Sequence, residues 1–351
     1  MNELKTSIQT KASQCVKCGL CAPVCPTYKL TQQEGDSPRG RISLLDGYAR
    51  GDLSLSQNLK THIDTCLTCR ACEAVCPSAV NYGELLDQGR ELIAIQKPPR
   101  FKFLFNALKY TWIMNWLAPF TIKNRNLKSS INLFVGCVMP WLDRKTIKAA
   151  IKLLSACGYQ VRIPKSQVCC GALPLHQGLK KLSDQLTEKN KRAFNYPIVA
   201  LATGCSLTLK ETAYDQSRYD ILEFLMAEQC LTQLKFKPIK AVALIHIPCT
   251  LKNGLKQPVI MRELLTHIPH LELIDLKTKD CCGAAGLSML TQRTHANTLG
   301  EKILEEIKII KPNYFVTANI GCALHLKRLI KCAKLKTKVV HPVQLLQSRD
   351  Q

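Results

Sequence analysis

The sequence predicts a multidomain protein of mixed α+β and α/β class, with an α-helical domain over residues 1–96, a connector over 97–130, and an α/β cysteine-rich domain present twice, over 131–235 and 236–351. Three observations predict it. Two cysteine runs of the same spacing fall within the first 77 residues. Downstream, a different pattern built on Cys-Cys-Gly occurs at Cys169-Cys170-Gly171 and again at Cys281-Cys282-Gly283. Short apolar runs alternate with helical patterns only in that second part, as a parallel sheet with covering helices requires.

The first runs are Cys15-Val16-Lys17-Cys18-Gly19-Leu20-Cys21-Ala22-Pro23-Val24-Cys25-Pro26 and Cys66-Leu67-Thr68-Cys69-Arg70-Ala71-Cys72-Glu73-Ala74-Val75-Cys76-Pro77. Each reads C-x-x-C-x-x-C-x-x-x-C-P, the run of bacterial ferredoxins, in which three close thiolates hold one [4Fe-4S] cubane and the fourth serves the other cluster. The expected sets are therefore Cys15, Cys18, Cys21 and Cys76 for one cluster, and Cys66, Cys69, Cys72 and Cys25 for the second. Residues 1–96 then form an N-terminal α-helical two-cluster ferredoxin-type domain. The proline after each fourth cysteine fixes the exit of the chain and removes an N–H that the turn need not satisfy. Zinc sites pair two separated cysteine couples, and disulfide frameworks belong to small secreted domains; neither explains two matched four-cysteine runs.

Composition sets the outer bounds. A length of 351 residues with 46% hydrophobic residues suggests two or three domains with real cores. The 19 cysteines, with Met1 followed by a polar, mixed-charge segment, point to a reducing compartment where thiols carry metal. No apolar run has the length of a membrane-spanning helix. The formal charge of +23 treats every cysteine as neutral, and anionic clusters reduce it. The remaining positive surface suits anionic lipid, an acidic partner or nucleic acid. The last is not expected: the sequence has no zinc finger, aromatic strand motif or basic heptad helix.

Residues 1–14 read as a short or frayed helix. Between the runs, Gly35-Asp36-Ser37-Pro38-Arg39-Gly40-Arg41 is a turn, followed by Ile42, Leu45, Tyr48 and Ala49 at helical spacing. Arg39 and Arg41 either donate to cluster sulfurs or fix the turn from the surface. Residues 82–96 read as a helix with Leu85, Leu86, Gly89, Leu92 and Ile93 on one side. The connector is basic and aromatic: no Asp or Glu occurs from Leu92 to Leu142, and Trp112, Trp116 and Phe120 recur every fourth residue. Such a stretch either rests on an anionic membrane surface or packs its aromatics on the N-terminal domain.

The rest of the chain is a repeat. The first copy offers Cys137, Cys169, Cys170 and Cys205, the second Cys249, Cys281, Cys282 and Cys322. In both copies 32 residues separate the single cysteine from the first of the pair; the pair and the last cysteine lie 35 residues apart in one copy and 40 in the other. Expected strands are 131–135, 159–163 and 198–203, repeated at 241–247, 271–276 and 314–318. Every motif cysteine then follows the carboxyl end of a strand, the edge where open α/β sheets bind ligands and where helix N-termini favour anions. Four converging thiolates suit further iron–sulfur clusters or a closed zinc site. Cys157 and Cys230 read as core residues, and Cys332, between lysines, as an inert thiol. His325 is the histidine singled out as a candidate ligand, although its first-copy counterpart is Thr208.

These motifs together resemble the iron–sulfur subunits of bacterial glycolate oxidases over essentially the full length. The phrases that carry the likeness are Pro38-Arg39-Gly40-Arg41-Ile42, Cys66-Leu67-Thr68-Cys69-Arg70, Pro248-Cys249-Thr250-Leu251 and Val316-Thr317-Ala318-Asn319-Ile320-Gly321-Cys322. Lactate-utilisation proteins, anaerobic glycerol-3-phosphate dehydrogenase subunits and heterodisulfide reductases are broader relatives. In the last the module ends in C-x-x-C, where this chain has Thr208 and His325. The resemblance implies a cytoplasmic electron-transfer subunit, peripheral on the inner membrane, with FAD in flavin-binding partner subunits and membrane quinone as acceptor. With no G-x-G-x-x-G fingerprint and no His/Arg constellation for hydride abstraction, no catalytic residue is assigned. A disulfide reductase and a zinc-bearing docking scaffold are the rival readings.

Overall fold

A computed structural model of the chain describes residues 1–99, 105–110, 129–212 and 214–347. The N-terminal domain is helical and is built around three helices, Asn2–Ser13, Pro38–Arg50 and Tyr82–Gln96. The second starts where Ser37 caps it, its side chain accepting from the Gly40 N–H, with Pro38 in the first turn. The anticipated apolar face of Ile42, Leu45, Tyr48 and Ala49 is buried, against Ile8, Leu85 and Leu86. Residues 2–13 form a continuous helix whose Ile8 is fully buried, so the terminus is tied into the core.

Each cysteine-rich copy is a four-stranded, all-parallel sheet with helices on its faces. The first comprises β1 (Ser129–Phe134), β2 (Tyr159–Arg162), β3 (Ile198–Ala200) and β4 (Arg218–Asp220) in the order β2-β1-β3-β4. The second comprises β5 (Ala241–Ile245), β6 (Leu271–Asp275), β7 (Tyr314–Val316) and β8 (Lys338–Val340) in the same order, β6-β5-β7-β8. Three strands of each sheet match the apolar runs of the sequence. The fourth, β4 or β8, has only three residues, is partly exposed and carries Arg218 or Lys338, too little apolar pattern to read beforehand.

The two copies share one core. Buried residues of the first (Val135, Leu153, Leu201, Phe224) and of the second (Ile245, Met261, Val316, Val343) form a single cluster. The exchange is reciprocal: the helix after β4, Ile221–Ala227, packs on Ile260–Leu265 of the second copy, and the helix after β8, Pro342–Leu346, packs on Arg144–Ala156 of the first. Hydrogen bonds stitch the sheets, among them Thr203 N–H to Ala318 O at 3.1 Å and His341 Nε2 to Leu201 O at 3.0 Å. Cys157 and Cys230 are both buried in this core, where they form a disulfide with a Cα–Cα distance of 5.3 Å that the sequence did not announce. Cys332 is exposed on its helix. The aromatic stripe of Trp112, Trp116 and Phe120 lies outside the described residues.

Candidate metal centres

Cys15, Cys18, Cys21 and Cys76, far apart in sequence, line one cavity together with Cys72. The loop that carries the first three turns through Lys17 at φ 57° and Gly19 at φ 85°. Cys18 is exposed, between Val16 and Leu20, which are 68% and 57% exposed. The backbone N–H of Arg39 reaches Cys21, whose thiol burial pushes up. Arg39 itself pairs with Glu34 at 2.7 Å on the surface.

Cys25, Cys66 and Cys72 are buried, and Cys69 is close enough to act on Cys72 and to be influenced by Cys66 and Cys25. Burial, then the neighbouring Cys69 and Cys66, push the Cys72 thiol well above its ordinary range. Several thiolates in one buried space repel one another, so such a set keeps its protons unless a cation takes their place. That is the donor chemistry of an iron–sulfur centre. Arg41 is fully buried here and is not a surface residue of the turn. Its Nη1 lies 3.0 Å from Thr27 Oγ1 and 4.0 Å from Cys25 Sγ, its Nη2 3.3 Å from Asp36, and its Nε donates to His62 O at 2.6 Å. The charge is thus matched by Asp36 and directed at the Cys25 side of the set. Tyr82 Oη at 3.5 Å from Cys66 Sγ and Thr27 Oγ1 at 3.2 Å from Cys25 Sγ add hydroxyl groups to the same sulfurs.

In both repeats the cysteines gather beyond the carboxyl edge of the sheet. The adjacent pair turns through a glycine with positive φ, Gly171 at 90° and Gly283 at 85°, and a Cβ there would lie 2.6 Å from Ser183 Oγ or 2.5 Å from Ala296 O. The last cysteine of each set sits in the first turn of a helix, Cys205 in Thr203–Glu211 and Cys322 in Ile320–Cys332, where the dipole favours negative sulfur. Cys137 contacts Cys169, and Cys170 contacts Cys205; these contacts with Cys169 and Cys205 hold Cys170 well below the usual thiol range. In the second repeat Cys249 contacts Cys281, and Cys282 Sγ lies 2.9 Å from Cys322 Sγ.

The N-terminal domain meets the two repeats differently. His176 Nδ1, beyond the first Cys-Cys-Gly turn, lies 2.9 Å from Asp87 Oδ1, and Glu211 of the first repeat binds Arg70. Against the second repeat it presents its own cysteines: Leu67 packs with Cys281, Cys69 and Cys249 lie at the same contact, and Asn253 Nδ2 donates to Cys69 O at 2.7 Å.

His325, the expected histidine, is buried with Nε2 on Ala296 O at 3.0 Å. Another histidine takes the place beside the thiols. His246, Cys282 and Cys322 are buried with their ligand atoms within 4.8 Å of one another. Burial lowers the His246 imidazole to about 4, so it is neutral at pH 7. Sequence reasoning missed it although a signal was present: His246 stands three residues before Cys249, where the first copy has Phe134 before Cys137.

The model of a 4Fe-4S dicluster domain matches residues 11–80, and that of a cysteine-rich domain matches 131–210 and 243–327. The chain is 30% identical to the glycolate oxidase iron-sulfur subunit of Escherichia coli K12, covering 95% of this chain and 93% of that protein. It is 28% identical to the probable glycolate oxidase iron-sulfur subunit of Bacillus subtilis, covering 98% and 96%. Similarity extends to one of the subunits of the CoM/CoB fumarate reductase of Methanothermobacter marburgensis, 27% identical over 96% of this chain and 72% of that one. With two cysteine sets in a helical domain, a duplicated cysteine-rich module behind it and full-length similarity to these proteins, the chain belongs to the family of glycolate oxidase iron–sulfur subunits.

Proposed function

We propose that the chain relays electrons within a 2-hydroxy-acid oxidase complex, from a flavin held by partner subunits towards membrane quinone, with glycolate as the substrate oxidised on the flavin subunit. Oxidation to the 2-oxo acid releases two electrons and two protons, and quinone takes up the same numbers on becoming quinol. Clusters bound by the two ferredoxin-type sets supply one-electron carriers, which divide the flavin's two-electron discharge into single steps.

The observation that carries the reading is the continuity of sulfur sites. It runs from exposed Cys18, through Cys72 on the wall of the same cavity, to Cys69 beside Cys249 and Cys281. The residues around that line suit the task. Val16 and Leu20 offer the first set an apolar rim for a partner. Arg41, Thr27 and Tyr82 face the second set with positive charge and hydroxyl groups, which favours its more negative, reduced state. Asp36 and Thr65 hold Arg41 in that orientation. Among the described residues no helix is long and apolar enough to cross a membrane, so in this reading quinone is reached through the protein surface or a partner.

The test is rapid anaerobic mixing of the assembled complex with glycolate, lactate or glycerol 3-phosphate, followed by freeze-quench EPR. The expected outcome is about eight irons from the two ferredoxin-type sets and their reduction by glycolate at the turnover rate. Flavin turnover with clusters that stay oxidised, or full activity of a complex lacking this chain's iron, overturns the relay. Reduction by lactate or glycerol 3-phosphate alone keeps the relay and changes the substrate.

A further inference from the structure

We propose that the second repeat holds its metal with a mixed ligand set, the imidazole of His246 beside the thiolates of Cys282 and Cys322. The inference rests on the reading that the second repeat binds metal, and it adds a nitrogen ligand to that site. His246 follows β5 directly, its N–H donating to Val316 O at 2.9 Å, so the backbone ladder holds the ring at the sheet edge. The ring stacks on Phe315 at 5.5 Å between centroids. Its Nδ1 lies 2.9 Å from Thr317 Oγ1. Ligating histidines characteristically engage their second nitrogen in this way, which fixes the ring and leaves the other nitrogen, here Nε2, for the metal. Asn319 Nδ2, 3.6 Å from Cys322 Sγ, orients the thiolate side of the same group.

The first repeat keeps the two thiols, as Cys170 and Cys205, but has neither the imidazole nor the hydroxyl that holds it. Counting back from the aligned cysteines, Phe134 stands for His246 and Ala200 for Thr317, and the strand register pairs Phe134 with Ala200. Phe134 instead packs on Phe194 at 5.9 Å. A structural role in the second repeat needs only an apolar ring, as Phe134 demonstrates. A buried imidazole with its Nδ1 tied to a hydroxyl and two thiols beside it is the chemistry of a mixed nitrogen and sulfur site. A neutral imidazole brings no negative charge where a thiolate ligand would, so the centre lies at a higher potential than an all-thiolate one and the second repeat becomes an electron sink next to Cys69.

The experiment uses the full-length chain purified anaerobically with its metal. Metal analysis is combined with pulsed EPR of the reduced protein grown with [15N]histidine, and with X-ray absorption at the iron and zinc edges. The expected result is one centre with a strongly coupled histidine nitrogen, lost in His246→Ala and kept in His325→Ala. His246→Cys should retain that centre's metal and shift its midpoint potential downwards, an outcome that a purely structural histidine does not produce. Zinc in place of iron, with a nitrogen scatterer that disappears in His246→Ala, supports the ligand assignment and removes the second repeat from the electron path. A metal-containing second repeat without a histidine nitrogen overturns this inference alone. Metal content and spectra unchanged in the Cys249→Ser, Cys282→Ser and Cys322→Ser variants overturn the underlying reading that the second repeat binds metal, and the inference with it.

Discussion

The two cysteine-rich repeats have one strand order and one cysteine spacing, yet they differ where chemistry is decided. At the edge of the first sheet stand Phe134 and Ala200, at that of the second His246 and Thr317. The first meets the ferredoxin-type domain through an Asp87–His176 pair, the second through Cys69, Cys249 and Cys281. Duplication therefore preserved the scaffold, whose core both copies share, and left the ligand edge free to diverge. The copy that carries the imidazole is the one whose cysteines abut the second ferredoxin-type set.

The largest effect expected from breaking the comparison is on packing. Phe134 is fully buried against Phe194 and Ile198, so Phe134→Ala should cost about 4 kcal/mol in chemical denaturation. It should leave the metal signals of the second repeat intact. A loss of those signals would show that the two edges are not independent.

Next come two caps at equivalent positions with opposite pH responses. Asp220 caps the helix after β4 and His341 the helix after β8. Burial raises the Asp220 carboxyl to about 6, so between pH 4 and 6 the native state holds a proton that the unfolded chain has released, and stability falls as pH rises. Burial lowers His341 to about 4, so between pH 6.5 and 4 the unfolded chain holds the extra proton, and stability falls as pH falls. Each group contributes a slope integrating to about 3 kcal/mol, and the two oppose each other between pH 4 and 6. Asp220→Asn should therefore steepen acid unfolding and His341→Asn flatten it. Denaturant titrations from pH 4 to 7 measure both, and equal slopes in the two variants would deny the opposition.

A smaller difference separates the two Cys-Cys-Gly turns. A Cβ on Gly283 meets the Ala296 carbonyl, whereas one on Gly171 first meets the Ser183 Oγ, a side-chain atom that can turn away at the cost of its hydrogen bond to Gly171 O. Gly283→Ala should exceed Gly171→Ala in its stability cost by about 2 kcal/mol. Smallest is the exposed Lys29–Asp280 pair that borders the contact with the second repeat. Lys29→Ala should change stability by less than about 1 kcal/mol. Rapid reduction kinetics should stay unchanged if the relay depends on the apposed cysteines and not on this surface charge.

Much of this was legible in the residues themselves. A fixed spacing such as C-x-x-C-x-x-C states which sulfurs a short loop can bring together, and the 32-residue interval leaves room for a helix and a strand between two cysteines, because both are local properties of the backbone. The apolar periodicity of Ile42, Leu45, Tyr48 and Ala49 likewise carried its own helix.

Other features depend on partners distant in sequence, and only the tertiary structure decided them. Arg41 is buried because Asp36, Thr65 and His62 surround its guanidinium, a match that its turn-like neighbours do not reveal. The strands β4 and β8 form because a neighbouring strand offers them a ladder, not because three residues prefer to extend. His325, three residues after Cys322 in a helix, turns its Nε2 to Ala296 O, while His246, 76 residues away from Cys322, meets it across the sheet edge. Local spacing determines which groups a chain can present, but which of them converge is settled by the packing of whole sheets.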